Sequence, residues 1–92
     1  MENKVLAHDT LALALHIITA SGSEDFADVE RSLVNASKAL DADMLLATRI
    51  ALGEALRQTR YCVTTHTPIR SALHNLAAAA LDLLQSLFTL EA

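Results

Sequence analysis

The last quarter of the chain carries an apolar stripe that is too wide for a helix on the surface of a small monomer. Between Ile69 and Leu90, hydrophobic residues step by 4, 3, 4, 3, 4 and 3 positions, the spacing of an a/d heptad seam. A second apolar row, which includes Leu81, Leu84 and Phe88, runs beside the first. Two adjacent rows exceed the ~100° stripe of an ordinary surface helix. We therefore expect this helix to be covered, either at the centre of a bundle or at a homodimer seam.

The composition favours a bundle built from leucine and alanine. Hydrophobic residues make up 52% of the 92 residues, but aromatic residues make up only 3%. Two Gly and one Pro leave few turns for the short strands of a β-sandwich or barrel. A chain of this length has room for one core, which is marginal without a partner. The sequence predicts an all-α fold, a single domain over residues 1–92 with three to four helices.

The first helix is predicted from about Val5 or Thr10 to Ala20, and Ser21-Gly22 ends it. Its expected core residues are Leu11, Leu15 and Ile18, flanked by Leu13 and Ile17. The alternation of apolar residues from 11 to 17 also fits a strand, but the alanine content and the lack of a partner strand favour a helix. Ser21 and Glu24 have the spacing of a capping box for the second helix.

The second helix has a regular seam, after which the pattern changes phase. Phe26, Val29, Leu33, Ala36 and Leu40 follow one another at steps of 3, 4, 3 and 4. Beyond Leu40 the seam would place aspartate in the core, which indicates either a break near Asp41 or a shift of register within one long helix. We favour the break, with Asp41 or Asp43 as the cap of the next helix.

The third and fourth helices follow from the remaining pattern. The third is expected over about Ala42 to Arg60. Thr67 followed by Pro68 predicts the start of the fourth helix, because proline suits the first helical position. The residues expected to be buried in the third helix are Leu45, Leu46, Ile50, Leu52 and Leu56.

Charge is distributed unevenly along the chain, whose formal net charge is −4. Residues 1–43 have a balance of −5, and residues 44–92 have a balance of +1. The basic residues of the second part are all arginine: Arg49, Arg57, Arg60 and Arg70. The first three share one face of the third helix around Gly53, and Arg70 with His66 could join them across the following loop. This arginine face is either a docking surface for phosphates or carboxylates, or a solvated face with local pairs such as Glu54 with Arg57.

The acidic first half allows two interpretations. Glu24, Asp25, Asp28 and Glu30 could engage a basic, nucleic-acid-handling surface of another protein. The simpler interpretation is that these acids complement the positive end of a helix dipole. Direct binding of nucleic acid is disfavoured by the acidic net charge and the lack of aromatic residues, so we expect such contact only within a larger complex.

The sequence contains no strong signature of catalysis or metal binding. Cys62, His66 and His74 do not have the paired spacing of a zinc site, and isolated glycines cannot form a phosphate-binding loop. Cys62 with His66 is a weak candidate for a nucleophile and base. We expect no enzyme activity, no metal and no cofactor.

The chain is expected to be cytoplasmic. A single cysteine fits a reducing compartment, and the apolar stretch near Leu11 lacks the basic flank of an export signal. His74, Asn75, Asp82 and Gln85 would be costly in a membrane span.

These observations predict a small non-enzymatic regulator, adaptor or inhibitor that docks on a protein partner. One alternative is a phage-type inhibitor of a bacterial host's nucleic-acid-processing complex, of the defence or repair class, that uses the acidic and arginine faces. Another is a self-associating structural bundle, a homodimer through the fourth helix. The residues predicted to contact a partner are Arg49, Arg57, Arg60, Arg70, Leu81, Leu84 and Phe88.

Overall fold

Four segments with helical periodicity fold into four α-helices in a computed structural model of the chain. The structure describes residues 2–91 and the side chains of residues 2–87, and this part of the chain contains no strand. The helices are α1 (Glu2–Ser21), α2 (Ala27–Asp41), α3 (Leu45–Tyr61) and α4 (Thr67–Glu91), and a 3₁₀ turn at Glu24–Phe26 precedes α2. The all-α prediction is confirmed with four helices, and α1 is a helix as preferred over the strand alternative.

Contacts between helix ends show that each helix runs antiparallel to its neighbours. Lys4 near the start of α1 pairs with Asp43 just after α2. Ser32 of α2 donates a hydrogen bond to Gln58 near the end of α3, over 2.6 Å. The start of α1 also contacts the end of α4, where the side chain of Asn3 donates to the hydroxyl of Ser86. The result is an up-down-up-down bundle in which α1 packs on α2 and α4, and α3 packs on α2 and α4.

Each helix contributes one buried row at steps of three or four residues. Each row combines small and large side chains, which lets the helices pack closely. Ala77 and Ala80 are fully buried where α4 packs on its neighbours. The apolar residues of the rows are Ala7, Leu11, Ala14 and Ile18; Val29, Leu33, Ala36 and Leu40; Leu52 and Ala55; and Leu73, Ala77, Ala80 and Leu84.

The wide stripe of α4 is covered within the chain. Its fully buried row is Leu73, Ala77, Ala80 and Leu84, which combines one part of the predicted seam with one part of the second row. Ile69, Leu76, Leu81, Leu83 and Leu87 are half-buried and pack against this core. The stripe is wide because α4 lies in the groove between α1 and α3 and contacts both. α4 thus packs on two neighbours, as the other three helices do. The alternative of a homodimer seam stays a prediction. Phe88 and Leu90 lie outside the residues whose side chains are described.

The break after α2 lies where the sequence placed it, but its chemistry differs from the prediction. Asp43 adopts a left-handed conformation with φ 58°, which reverses the chain. The amide of Met44 donates to the carbonyl of Ala39, and that of Asp43 donates to Leu40, the two bonds of a Schellman motif. No side chain caps the start of α3 at Met44, so the expected aspartate cap is wrong. Asp43 ends α2 instead of starting α3.

Two further local expectations are corrected. Ser23, not Ser21, caps the 3₁₀ turn before α2 by accepting a hydrogen bond from the amide of Asp25. Ser21 instead donates to the carbonyl of Ile18 at the end of α1, where Gly22 adopts a positive φ of 63°. The seam of α2 is confirmed, because all five of its residues from Phe26 to Leu40 are buried.

Several apolar side chains of α1 and α3 are exposed, although helix periodicity predicted that they would be buried or at the edge of the core. Leu46, Ile50 and Leu13 are exposed by 63%, 60% and 51%, although Leu46 and Ile50 were expected in the core and Leu13 at its edge. The core positions of α3 are shared by Leu52, Ala55 and two threonines, Thr48 and Thr59, whose hydroxyls donate to carbonyls of their own helix. A threonine hydroxyl bonded in this way has its hydrogen-bond partner inside the core, so the threonine can occupy a buried position. The larger aliphatic residues Leu46 and Ile50 lie on the opposite face of the helix.

The loop between α3 and α4 is tied to the 3₁₀ turn. The thiol of Cys62 donates to the backbone carbonyl of Asp25. The hydroxyl of Thr64 donates to the carboxylate of Asp25 over 2.7 Å. α4 begins at Thr67, where the sequence predicted it. Across the described residues, none of the helices combines the length and the apolar character needed to cross a membrane.

Candidate functional site

The side of α3 that points away from the core carries a mixture of apolar and arginine side chains. At about 100° per residue, seven residues of α3 fall within about 120° of one another, opposite the buried row. Six of them are exposed and Gly53 is half-buried. We call this surface the α3 outer face; its residues are Leu46, Arg49, Ile50, Gly53, Arg57, Arg60 and Tyr61.

The apolar part of the α3 outer face begins at the first turn of the helix. Leu46 and Ile50 lie one turn apart, and Met44, which is 57% exposed, precedes them. Single exposed leucines are common on proteins, but Leu46 and Ile50 lie one turn apart on the same face of the helix, so their exposed apolar surfaces form a patch. Tyr61 extends the exposed apolar surface at the other end of the helix.

The arginines of the α3 outer face are all exposed. Arg57 donates to Glu54 over 2.9 Å, and 68% of its side-chain surface stays accessible. Arg49 and Arg60 lie along the edge of the same face. An exposed pair such as that of Arg57 with Glu54 contributes little to stability, so this pair does not explain the position of Arg57.

A groove lies on each side of α3, one toward α2 and one toward α4. The groove toward α2 has a volume of about 330 Å³ and continues the apolar patch at Ile50. The groove toward α4, of about 280 Å³, is polar. The lining of the α2–α3 groove is Ser32, Asn35, Ala39, Ala47, Ile50, Ala51 and Glu54. The lining of the α3–α4 groove is Thr59, Arg60, Arg70, Ser71, His74 and Asn75.

The structure divides the four predicted arginines between these surfaces. Arg70 is half-buried, and its guanidinium donates to the carbonyl of Cys62 over 3.3 Å. Arg70 and Arg60 both line the α3–α4 groove, whereas Arg49 and Arg57 lie on the α3 outer face. His66 is exposed in the loop and does not line this groove; His74 takes that place.

The apolar residues predicted to contact a partner lie elsewhere. Leu84 is fully buried in the core of its own chain and is not available at the surface. Leu81 is half-buried against that core. Phe88 is beyond the described side chains. The apolar candidates thus shift from α4 to Leu46 and Ile50, which the sequence assigned to the core.

The signal that identifies Leu46 and Ile50 is present in the sequence but ambiguous. Thr48, Leu52, Ala55 and Thr59 step by 4, 3 and 4, as do the buried rows of α1 and α4. A search for the largest apolar residues misses this row because half of it is threonine. Hydrophobicity alone therefore selected the wrong face.

Comparison with protein-family models, with curated proteins and with solved structures found no match.

Cys62 is in a poor environment for a nucleophile. Its partial burial raises the pKa of the thiol, and the carboxylates of Asp25 and Asp28 raise it further, while Arg70 acts in the opposite direction. The thiol therefore keeps its proton at neutral pH and donates it to the carbonyl of Asp25. Among the described residues, no three His, Cys, Asp or Glu side chains are grouped so that they could hold a metal ion.

Two of the acidic residues near the start of α2, Asp25 and Asp28, have local partners. Asp25 accepts the hydrogen bond of Thr64, and Asp28 lies 3.5 Å from Arg31 in the next turn. Asp28 and Arg31 are both more than 70% exposed. Through its bonds to Thr64 and Cys62, Asp25 anchors the α3–α4 loop to the 3₁₀ turn.

Proposed function

We propose that this chain is a non-enzymatic interaction protein that regulates, adapts or inhibits a protein partner, and that it docks through the α3 outer face. The observation that carries the proposal is the exposure of Leu46 and Ile50 on the same face as three arginines. Aliphatic area that stays in water costs about 25 cal/mol per Å², and a partner that covers it recovers this free energy. Arginine is enriched at protein interfaces.

Gly53 supports close approach of the partner. It lies at the midpoint of α3, and a Cβ atom at this position would meet nothing within 4 Å. Glycine inside a helix costs roughly 0.5–1 kcal/mol relative to alanine, and the packing of the bundle gives no reason for it. A partner helix that packs across α3 would explain the glycine at this position, because that helix could approach the backbone of α3 closely there.

The charge of the α3 outer face favours an acidic partner over a second copy. Within α3, Arg49, Arg57 and Arg60 are accompanied by a single acidic residue, Glu54. Two copies that meet face to face would bring six arginines together, which costs free energy at an interface. A protein segment that combines apolar residues with carboxylates is complementary to this face. We place this encounter in the cytoplasm, which suits the free thiol of Cys62.

The chain contains closely matched controls for a test. Arg31 pairs with Asp28 at i, i+3 and is 72% exposed, so it resembles Arg57 paired with Glu54, but it lies on α2. Leu13 is an exposed leucine on α1. Replacing either control residue with glutamate changes the charge and polarity of the surface as much as the same replacement on the α3 outer face does.

Affinity capture from bacterial lysate, with nuclease added, should use the wild type and four variants. Capture of a discrete protein should be lost with Ile50→Glu and with Arg57→Glu, and kept with Leu13→Glu and Arg31→Glu. Circular dichroism should show the same helix content for all five proteins, and light scattering should report their size. Equal capture by all variants, or equal loss with the controls, would contradict docking through this face. A wild-type dimer that Ile50→Glu converts to a monomer would instead show that the chain self-associates through the α3 outer face and not through α4.

A further inference from the structure

We propose that the α3–α4 groove is a binding site for one phosphate group in its dianionic form, as inorganic phosphate or a phosphate monoester. The inference goes beyond docking through the α3 outer face and does not depend on it, although Arg60 borders both surfaces. It rests on the chemistry of the six residues that line the groove and on the contacts that hold them.

Four of the six side chains that line the groove have N–H or O–H groups that can donate to a bound anion. Arg60 and Arg70 bring two guanidinium groups to one cleft, Ser71 and Asn75 add a hydroxyl and an amide, and Thr59 and His74 complete the lining. None of the six is a carboxylate. Each guanidinium has five N–H donors in a planar fork that matches two oxygens of a phosphate.

Two of these side chains are held in place by the fold. The hydroxyl of Thr59 has one proton, which it donates to the carbonyl of Leu56 over 2.8 Å. It therefore accepts the hydrogen bond from Nδ1–H of His74, also at 2.8 Å, and this fixes the imidazole at the groove. Arg70 is oriented by its bond to the carbonyl of Cys62, which uses one of its five donors. A site whose side chains are already oriented loses less conformational entropy when it binds an anion.

The number of donors favours a dianion with several oxygens over a carboxylate. A phosphate monoester carries about −1.5 to −2 charges at pH 7 and has three strong acceptor oxygens. Two arginines in one groove can neutralise that charge, whereas a carboxylate or a phosphodiester supplies only one charge. The groove is a single pocket of about 280 Å³ and not an extended basic stripe, so it suits one phosphate group and not a nucleic-acid backbone.

Nuclear magnetic resonance titration of the ¹⁵N-labelled full chain tests the proposal. Sodium phosphate and O-phosphoserine are the dianionic probes, and acetate and dimethyl phosphate are the singly charged probes, all against sodium chloride at equal ionic strength. The dianions should cause saturable shifts confined to residues 59–60 and 70–75. Acetate and dimethyl phosphate should bind at least about tenfold more weakly, the loss expected for one charge-assisted contact. Binding of phosphoserine at least as tight as that of phosphate assigns the site to a phosphorylated side chain, and tighter binding of phosphate assigns it to the free anion.

The variants separate this site from the α3 outer face. Arg70→Gln and Arg60→Gln should each weaken phosphate binding about tenfold or more, and Arg57→Gln should leave it unchanged. Arg70→Lys keeps the charge but not the fork, so it should also weaken binding. Because Arg60 is exposed, Arg60→Gln tests the site even if Arg70→Gln perturbs the loop. The proposal is overturned by an absence of saturable shifts, by equal shifts with chloride, or by an equal effect of Arg57→Gln.

Discussion

The hydroxyl of Thr59 lies 2.8 Å from Nδ1 of His74, and this hydrogen bond joins the last turns of α3 to the first turns of α4. Thr59 is buried in the row of α3 that faces the core, and His74 is half-buried beside it. Because the threonine proton is donated to Leu56, the histidine is the donor in this pair. One hydroxyl thus satisfies a carbonyl of its own helix and a ring nitrogen of the next one.

Thr59→Val should reduce the free energy of unfolding by about 1–2 kcal/mol, because it leaves the ring nitrogen of His74 without its partner in a half-buried site. Chemical denaturation followed by circular dichroism measures the difference. Thr48→Val is the matched control, since Thr48 is equally buried but bonds only the carbonyl of Met44 in its own helix. Its cost should be smaller, and equal costs would show that the bond to His74 contributes nothing.

The two glycines of the chain should respond to alanine with opposite signs. Gly53→Ala should stabilise the fold by roughly 0.5–1 kcal/mol, because the position is helical and open space surrounds it. Gly22→Ala should destabilise the fold by about 1–2 kcal/mol, because its φ of 63° is costly for a residue with a Cβ. Thermal unfolding of the two variants beside the wild type is the measurement. A loss of stability in Gly53→Ala would mean that the helix surface at this position is packed more tightly than the structure shows.

Leu84→Ala should destabilise the chain by about 2–5 kcal/mol, because Leu84 is fully buried and the smaller side chain leaves a cavity. Ile50→Ala should change the free energy of unfolding by no more than about 0.5 kcal/mol, because Ile50 is mostly in water. Urea unfolding of both variants distinguishes a core residue from a surface one. A large cost for Ile50→Ala would place it in an interface that the isolated chain does not contain, such as that of a dimer.

The thiol of Cys62 should react with iodoacetamide at a higher pH than a free cysteine does. Partial burial and the carboxylates of Asp25 and Asp28 raise the pKa of this group in the folded chain. The rate of alkylation against pH, beside the same protein unfolded in urea, measures the shift. A midpoint at or below that of the unfolded protein would contradict it.

The same shift has a consequence for stability. The folded chain holds the thiol proton more tightly than the unfolded chain, so ionisation of Cys62 gives stability no pH dependence well below the ordinary thiol pKa. Stability is lost as the pH rises from that ordinary value toward the raised pKa of the folded state. Wild type and Cys62→Ala should therefore differ in their pH dependence only in this alkaline window.

The sequence predicted α2 best, because its apolar residues form a single row on an otherwise polar helix. The break at Asp41 was also predictable, since the next seam positions would have buried charge. The Schellman motif at Asp43 was not, because aspartate in this conformation resembles an N-cap aspartate in sequence. In α3 the apolar residues surround much of the helix, so periodicity did not indicate which side faces the core.

Of the candidate site, the sequence placed the arginines on one side of α3 but assigned Leu46 and Ile50 to the core. It also grouped Arg70 and His66 with the arginines of α3. The structure instead places Arg70 with Arg60 and His74 in the α3–α4 groove. Residues 59 and 74 are separated by a loop, and a pattern within one helix carries no information about such a pair.

The sequence by itself determined that the chain forms helices, where α1, α2 and α3 end to within one residue, and that the wide apolar stripe of α4 must be covered. Those properties follow from local periodicity, turn residues and the cost of apolar surface in water. The sequence did not locate the starts of α1 and α3, which begin at Glu2 and Leu45 and not at Val5 or Thr10 and at Ala42. Only the tertiary structure decided what covers α4, which side of α3 is exposed, and which donors converge in the α3–α4 groove. These outcomes depend on how four amphipathic helices share one core, and the free energy of that packing is a property of all of them together.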